Sequence, residues 1–194
     1  MRLPRTALCA VTLLAACATA RSYLALRQVE FRVDRAGEVR LAGINIERVH
    51  SFDDLSLADG GRLAIAVTRG EMPLSFDLHI LGENPAANPV AARLMRMEWT
   101  LLLNGTETIS GAIDTVYTFA PGQTTDMAVP IRLDLVRFFR SNARDAFELA
   151  KGLAGASSRP TEIALRAVPT VDTPLGGIRY PGAITIVRRS VGGP

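Results

Sequence analysis

The chain is poor in the residues that metal, redox and disulfide chemistry need. Its 194 residues hold two cysteines, Cys9 and Cys17, both close to the N-terminus. From Ala18 onward there is none, so no intramolecular disulfide can staple the body and the fold must rest on its core alone. Histidine occurs twice, as His50 and His79, and neither has a second histidine or a thiolate at ligand spacing. A metal centre is therefore unsupported, and so is acid/base work by either ring. GxGxxG, Walker A, HExxH and GxSxG patterns are absent, no residue set stands out as catalytic, and nothing calls for a cofactor. Asp53-Asp54 reads as turn and helix-entry chemistry rather than as a catalytic carboxylate pair. Long apolar runs are lacking too: Ala7 to Ala16 is ten residues, against the roughly 20 that a spanning helix needs. Lysine occurs once, as Lys151, against 21 arginines. Arginine suits phosphate and lipid-headgroup contacts, and the bias also follows from genome composition.

What is present starts with a leader. Arg2 and Arg5 precede the short apolar run, the pattern of a secretory signal peptide over residues 1–16. Leu14-Ala15-Ala16-Cys17 resembles the bacterial lipobox, in which a small residue precedes the cysteine that is acylated and becomes the mature N-terminus. Cys17 is thus the expected lipid anchor, with a tether over 17–27 and one domain over 28–189. Ala18, rather than Asp, after the cysteine points to the outer membrane, facing the periplasm. Cleavage leaves 178 residues, enough for a single well-buried domain. Basic and acidic residues number 22 and 19, and removal of Arg2 and Arg5 brings them to 20 and 19, so nucleic acid is not an expected partner.

Beyond residue 25 the chain alternates apolar and polar residues with period 2. Val29, Phe31 and Val33 open the series, followed by Val39 and Leu41. The run resumes as Ile44 and Ile46, and this parity slip at Gly43 predicts a bulge. Phe76, Leu78 and Ile80 form the next segment; Met97, Trp99, Leu101 and Leu103 form another. Ile109, Ile113, Tyr117 and Phe119 share a parity, as do Met127, Val129, Ile131 and Leu133. Ile163 and Leu165, then Ile178, Tyr180, Ile184 and Ile186, complete the set. Eight half-buried segments joined by turns predict a mainly β protein, an antiparallel two-sheet sandwich. Asn104-Gly105 is a type I′ hairpin signal, and Pro121-Gly122 suits the centre of a type II turn. Trp99, in the strongest alternating segment, is expected to be buried against Ile113, Val129 or their neighbours.

Two segments break the pattern. Ser56-x-x-Asp59 resembles a capping box that opens a helix through LADGGRLAIAVTR and stops at Gly70. From about Leu135 to Lys151, Val136, Phe139, Ala143, Ala146, Phe147 and Ala150 form one apolar helical stripe. Arg137, Arg140, Arg144 and Glu148 make its solvated face, with Arg144 and Glu148 at i,i+4. GLAGASS, residues 152–158, reads as a connector.

The stretch LGENPAANP, residues 81–89, ends a strand twice over. Each Asn starts a turn through its side chain, and each Pro lacks an N–H and pushes its predecessor out of helix. Asn84 is expected to accept hydrogen bonds from backbone donors. From Leu74 to Leu135 the chain resembles the late embryogenesis abundant type 2 family, also called the WHy domain. The matching residues are Asn84, Pro85 and Asn88, Asn104-Gly105, Gly111, and Val129-Pro130. Ala86-Ala87, between Pro85 and the second Asn, depart from that family's Asn-Pro-Asn. The resemblance implies an immunoglobulin-like sandwich, an association with desiccation and other stresses, and no enzymatic activity.

Three functions follow as expectations. The first is a non-catalytic envelope lipoprotein that protects or organises a membrane surface under stress, alone or with envelope proteins. The second is a carrier holding a lipid or another apolar ligand between its sheets or beneath the Phe139/Phe147 helix. The third is a hydrolase, which would need His50 or His79 to meet a serine or carboxylate in a cleft. A closed core favours the first and an open apolar cavity the second.

Overall fold

The computed structural model describes residues 17–136, 143–156 and 161–187. The leader, Phe139, Arg137, Arg140 and residues 188–189 lie outside the described residues. In chain order the elements are a helix α1 over 17–27, then β1 (Glu30–Leu41), β2 (Ile44–Asn45), α2 (Leu57–Arg69), β3 (Pro73–Glu83) and β4 (Ala92–Leu103). They continue with β5 (Thr106–Ile113), β6 (Tyr117–Phe119), β7 (Thr124–Asp134), α3 (Ala143–Leu153), β8 (Ile163–Thr173), β9 (Gly176–Arg179) and β10 (Ile184–Val187). The chain is mainly β, as expected. One antiparallel sheet has the order β2-β1-β3-β7 and the other β10-β8-β4-β5, with β6 on β4 and β9 on β8. This is an immunoglobulin-like arrangement of two sheets.

Alternation builds the core. Leu74, Phe76, Leu78 and Ile80 of β3 face inward with Met127, Val129, Ile131 and Leu133 of β7, in continuous register from Pro73↔Asp134 to Glu83↔Thr124. Met97, Trp99 and Leu101 of β4 and Ile163, Leu165 and Ala167 of β8 close against them in one cluster. Each such side chain, fully buried, contributes roughly 1.5–3 kcal/mol. Trp99 is 7% exposed, and its indole lies over Gly111 of β5.

The turns take the backbone that their residues allow. Asn104 and Gly105 both have positive φ, +49° and +76°, as a type I′ turn requires. Asn104 also bonds Glu162 twice, through N–H to O at 3.0 Å and through Oδ1 from N–H at 3.1 Å, which ties the hairpin tip to the start of β8. Gly122 sits at φ +70°, and Gln123 N–H bonds Ala120 C=O at 3.0 Å across Pro121-Gly122. Pro130 stands exposed on β7, an edge strand, where a missing N–H is tolerated.

Several expectations change. Gly43 is not a bulge. It forms a two-residue turn with Ala42, both at positive φ, between β1 and β2. The bulges lie earlier, between Val33 and Arg35 and between Gly37 and Arg40. The segment from Ile109 to Phe119 divides into β5 and β6, which pair successive stretches of β4. Helix α2 has its expected cap, with Asp59 N–H to Ser56 Oγ at 3.1 Å and Gly70 at φ +67°, yet among its residues only Leu63 is buried. Helix α3 buries Ala146, Phe147, Ala150 and Leu153, with Phe147 edge-on to Phe52. Arg144 on its outer face donates to Asp53 at 2.9 Å and lies over the Phe52 ring.

Candidate functional site

The double Asn-Pro stretch forms a buried polar site held by several hydrogen bonds. Asn84 and Asn88 are 0% and 2% exposed. After β3 the chain turns through Pro85, Ala86 and Ala87, and Asn88 N–H closes that turn on Pro85 C=O at 2.9 Å. The two alanines that depart from the family's spacing thus bring Asn88 back onto Asn84. Asn88 Nδ2 donates to Asn84 Oδ1 at 2.8 Å and to Ala25 C=O at 3.0 Å. Asn84 Nδ2 donates to Phe119 C=O at 2.8 Å and to Val90 C=O at 3.2 Å. The side chain of Asn84 is therefore a donor to backbone carbonyls, not the expected acceptor from backbone donors. Its backbone is held as well, with Asn84 N–H to Gln123 C=O at 3.0 Å and Gly122 N–H to Asn84 C=O at 2.8 Å.

These bonds fasten α1. Ala25 C=O, in the last turn of that helix, also takes Gln28 N–H at 3.2 Å, and the Asn88 amide fills its second acceptor position. Tyr180 adds a second hold two residues earlier: its hydroxyl donates to Tyr23 C=O at 2.9 Å, and the two rings stack with centroids 4.7 Å apart. Burial, with the neighbouring Tyr23 second, pushes the Tyr180 phenol up to about 12. Ala25, Leu26 and Val29 are buried, and Ala18, Thr19, Ser22 and Tyr23 are half-buried. The segment expected as a tether is a helix laid along the sandwich, with Cys17 exposed at its described start.

Gly111 has a mechanical role: a Cβ there would come within 2.4 Å of the Trp99 ring. Gly82 does the same for Phe119, also at 2.4 Å, and sequence reasoning did not single it out. Its signal was a lone glycine inside an alternating strand. Lys151 is 7% exposed and donates to Val49 C=O at 2.8 Å and His50 C=O at 2.9 Å. Here the signal was its being the only lysine among arginines.

The two histidines differ. His50 is exposed. His79, on the outer face of β3, meets Asp126 of β7 at 2.8 Å, with Arg35 3.3 Å from the same nitrogen. A carboxylate only accepts, so Nδ1 carries the proton toward Asp126. This pair stands on an open sheet face, and no Ser, Thr or Cys side chain among the described residues bonds the ring. The outer face of the second sheet carries cross-strand ion pairs: Arg93 with Asp172, Arg96 with Asp114, Arg166 with Glu107, and Arg179 with Glu98 at 2.5 Å. The hydrogen bond from Arg179, then its charge, holds the Glu98 carboxyl below its usual range. Between them lies an open depression of about 540 Å³ of mixed lining, with Thr100 and Ser110 beside Trp99 and Val168. Among the described residues no group of three or more His, Cys, Asp or Glu could hold a metal, and no helix is long and apolar enough to cross a membrane.

No family model and no curated protein matches the chain. Solved structures similar to it include these two. One, a solution structure of a candidate late embryogenesis abundant (LEA) protein, is 16% identical with a TM-score of 0.37, covering 94% of this chain and 85% of that one. The other, a crystal structure of a protein from Archaeoglobus fulgidus, is 15% identical with a TM-score of 0.32, covering 59% of this chain and 81% of that one.

Proposed function

We propose that the chain is a non-catalytic lipoprotein of the bacterial envelope, anchored through Cys17, whose late embryogenesis abundant type 2-like sandwich protects or organises the periplasmic face of the outer membrane under stress. The observation that carries this reading is the closed core. Side chains from both sheets form one buried cluster, with Leu41, Leu74, Leu78, Ile80, Leu101 and Phe119 wholly removed from solvent. A core filled in this way favours a protein that works through its surface over one that carries an apolar ligand between its sheets. The exposed thiol of Cys17 and the lipobox-like residues before it support the anchor. The test is a strain lacking the chain, dried and rewetted, with membrane fractionation of the complemented forms. Wild type restores survival from the membrane fraction, with an acylated Cys17 in its N-terminal peptide, and Cys17→Ser does neither. Survival unaffected by the deletion, or Cys17→Ser retained in the membrane and fully active, overturns the reading.

A further inference from the structure

We propose that the solvent face of α1 lies flat on a phospholipid bilayer, so that the sandwich is carried side-on at the membrane rather than on a loose leash. The proposal rests on the lipoprotein reading only for what brings the helix to the membrane. Its own basis is the distribution of side chains around α1. The exposed positions are 17, 20, 21, 24 and 27, spaced i, i+3, i+4, i+7 and i+10, and so form one stripe along the helix. The opposite stripe packs on the sandwich, from half-buried Ala18 to buried Leu26. On the outer stripe Leu24 is 51% exposed, between Arg21 and Arg27.

Charge identifies the occupant. Residues 17–29 contain two arginines and no acidic residue. Most described arginines elsewhere are paired, as Arg32 is with Glu83 and Arg62 with Asp59, whereas Arg21 and Arg27 have no carboxylate partner among the described residues. Two unpaired guanidinium groups flanking an exposed leucine, in line with the acylation site, match a surface of lipid phosphates over acyl chains. The bonds from Asn88 and Tyr180 to the helix carbonyls hold this face turned outward while its other face stays on the sandwich.

The test places one fluorophore. In the processed, acylated protein Cys9 is removed and Cys17 is blocked, so Leu24→Cys offers a single thiol for a nitrobenzoxadiazole label. Thr106→Cys, at the far end of β4 and β5, is the control, roughly 35 Å away along the strands. Vesicles of three parts phosphatidylethanolamine to one part phosphatidylglycerol carry a shallow nitroxide-labelled lipid. The label at position 24 is expected to shift to the blue and be quenched, and that at 106 to behave as in water. Arg21→Glu with Arg27→Glu abolishes the quenching at 24 while the acyl chains keep the protein on the vesicles. A label at 24 as water-like as that at 106, on membrane-bound protein, overturns the proposal and leaves the anchor standing. If Cys17 proves unmodified, the Cys9→Ser/Cys17→Ser chain with the same label decides. Quenching that the double reversal weakens about tenfold or more upholds the helix surface, and no quenching rejects it together with the anchor.

Discussion

Replacing Asn84 by Ala removes three hydrogen bonds from a dry site. Phe119 C=O and Val90 C=O lose their donor, and the Asn88 amide loses one of its two acceptors, keeping only Ala25 C=O. At roughly 1 kcal/mol net for each bond, and 1–3 kcal/mol for a buried group left unsatisfied, the loss is about 2–4 kcal/mol. That is a large share of a typical domain stability of roughly 5–15 kcal/mol. Asn84→Asp is the sharper variant. It keeps the shape and the acceptor, but turns an oxygen toward two carbonyls in place of an N–H. Were Asn84 an acceptor from backbone donors, Asp would substitute well; as a donor, it makes Asp worse than Ala. Urea unfolding of the three proteins at pH 7, followed by Trp99 fluorescence, orders them as wild type, then Ala, then Asp, with unchanged m-values. Asp at or above the stability of Ala refutes the assignment. Full burial also removes Asn84 from any recognition surface, so partner recovery by folded variants is expected to be unaffected.

Gly111→Ala and Gly82→Ala drive a Cβ into Trp99 and Phe119, and each is expected to cost roughly 1–3 kcal/mol in urea unfolding; Gly111→Ala also red-shifts Trp99 emission, and wild-type stability in either would disprove the close approach. Lys151→Arg is expected to destabilise nearly as much as Lys151→Met, about 2–3 kcal/mol, because two carbonyls converge on a compact ammonium that a planar fork does not replace; stability retained in Lys151→Arg would refute that geometry. The Tyr180 phenol, raised to about 12 from 10.0, contributes stability that is complete below pH 10 and is lost as pH rises through 12. Tyr180→Phe is expected to flatten that alkaline loss and to free α1 for proteolysis near Tyr23, while an unchanged pH profile would show that the hydroxyl does not hold the helix.

The strands were legible because a half-buried strand writes its two faces directly into the sequence, as in Phe76, Leu78, Ile80 and in Met127, Val129, Ile131. The helix cap at Ser56 and the hairpin at Asn104-Gly105 were legible for a similar reason, since both depend on residues within four positions of each other. Gly43 shows the limit. A parity slip has two local solutions, a bulge or a turn, and the choice between them depended on whether Ile44 returned to pair with Leu41. The burial of α2 was illegible because Leu63 alone is buried, Val67 only partly packs on the core and Ile65 stays exposed, and nothing inside LADGGRLAIAVTR records that. His79 and Asp126 lie 47 residues apart and meet through the β3–β7 register alone.

Asn84 and Asn88 combine both kinds of information. That they stop a strand follows from Asn and Pro in isolation. What they hold does not, because their partners, Ala25, Val90 and Phe119, come from a helix, a loop and a short strand that only the assembled fold brings together. The polarity of the site then follows from those partners. A carbonyl at the end of a helix, Ala25, and one at the end of a strand, Phe119, both face this gap and accept there, so the gap suits donors, and an amide is the smallest side chain that donates twice while accepting from its neighbour. Two amides in series span that gap: Asn84 reaches β6 and the strand entry at Val90, Asn88 reaches α1, and the bond between them makes one unit. A pull on α1 is therefore resisted first by the Asn88 and Tyr180 bonds and, through Asn84, by the strands at that end of the sandwich. The residues that end β3 thus couple the helix bearing Cys17 to the core, which a simple strand stop with Gly or Ser in these positions would not do.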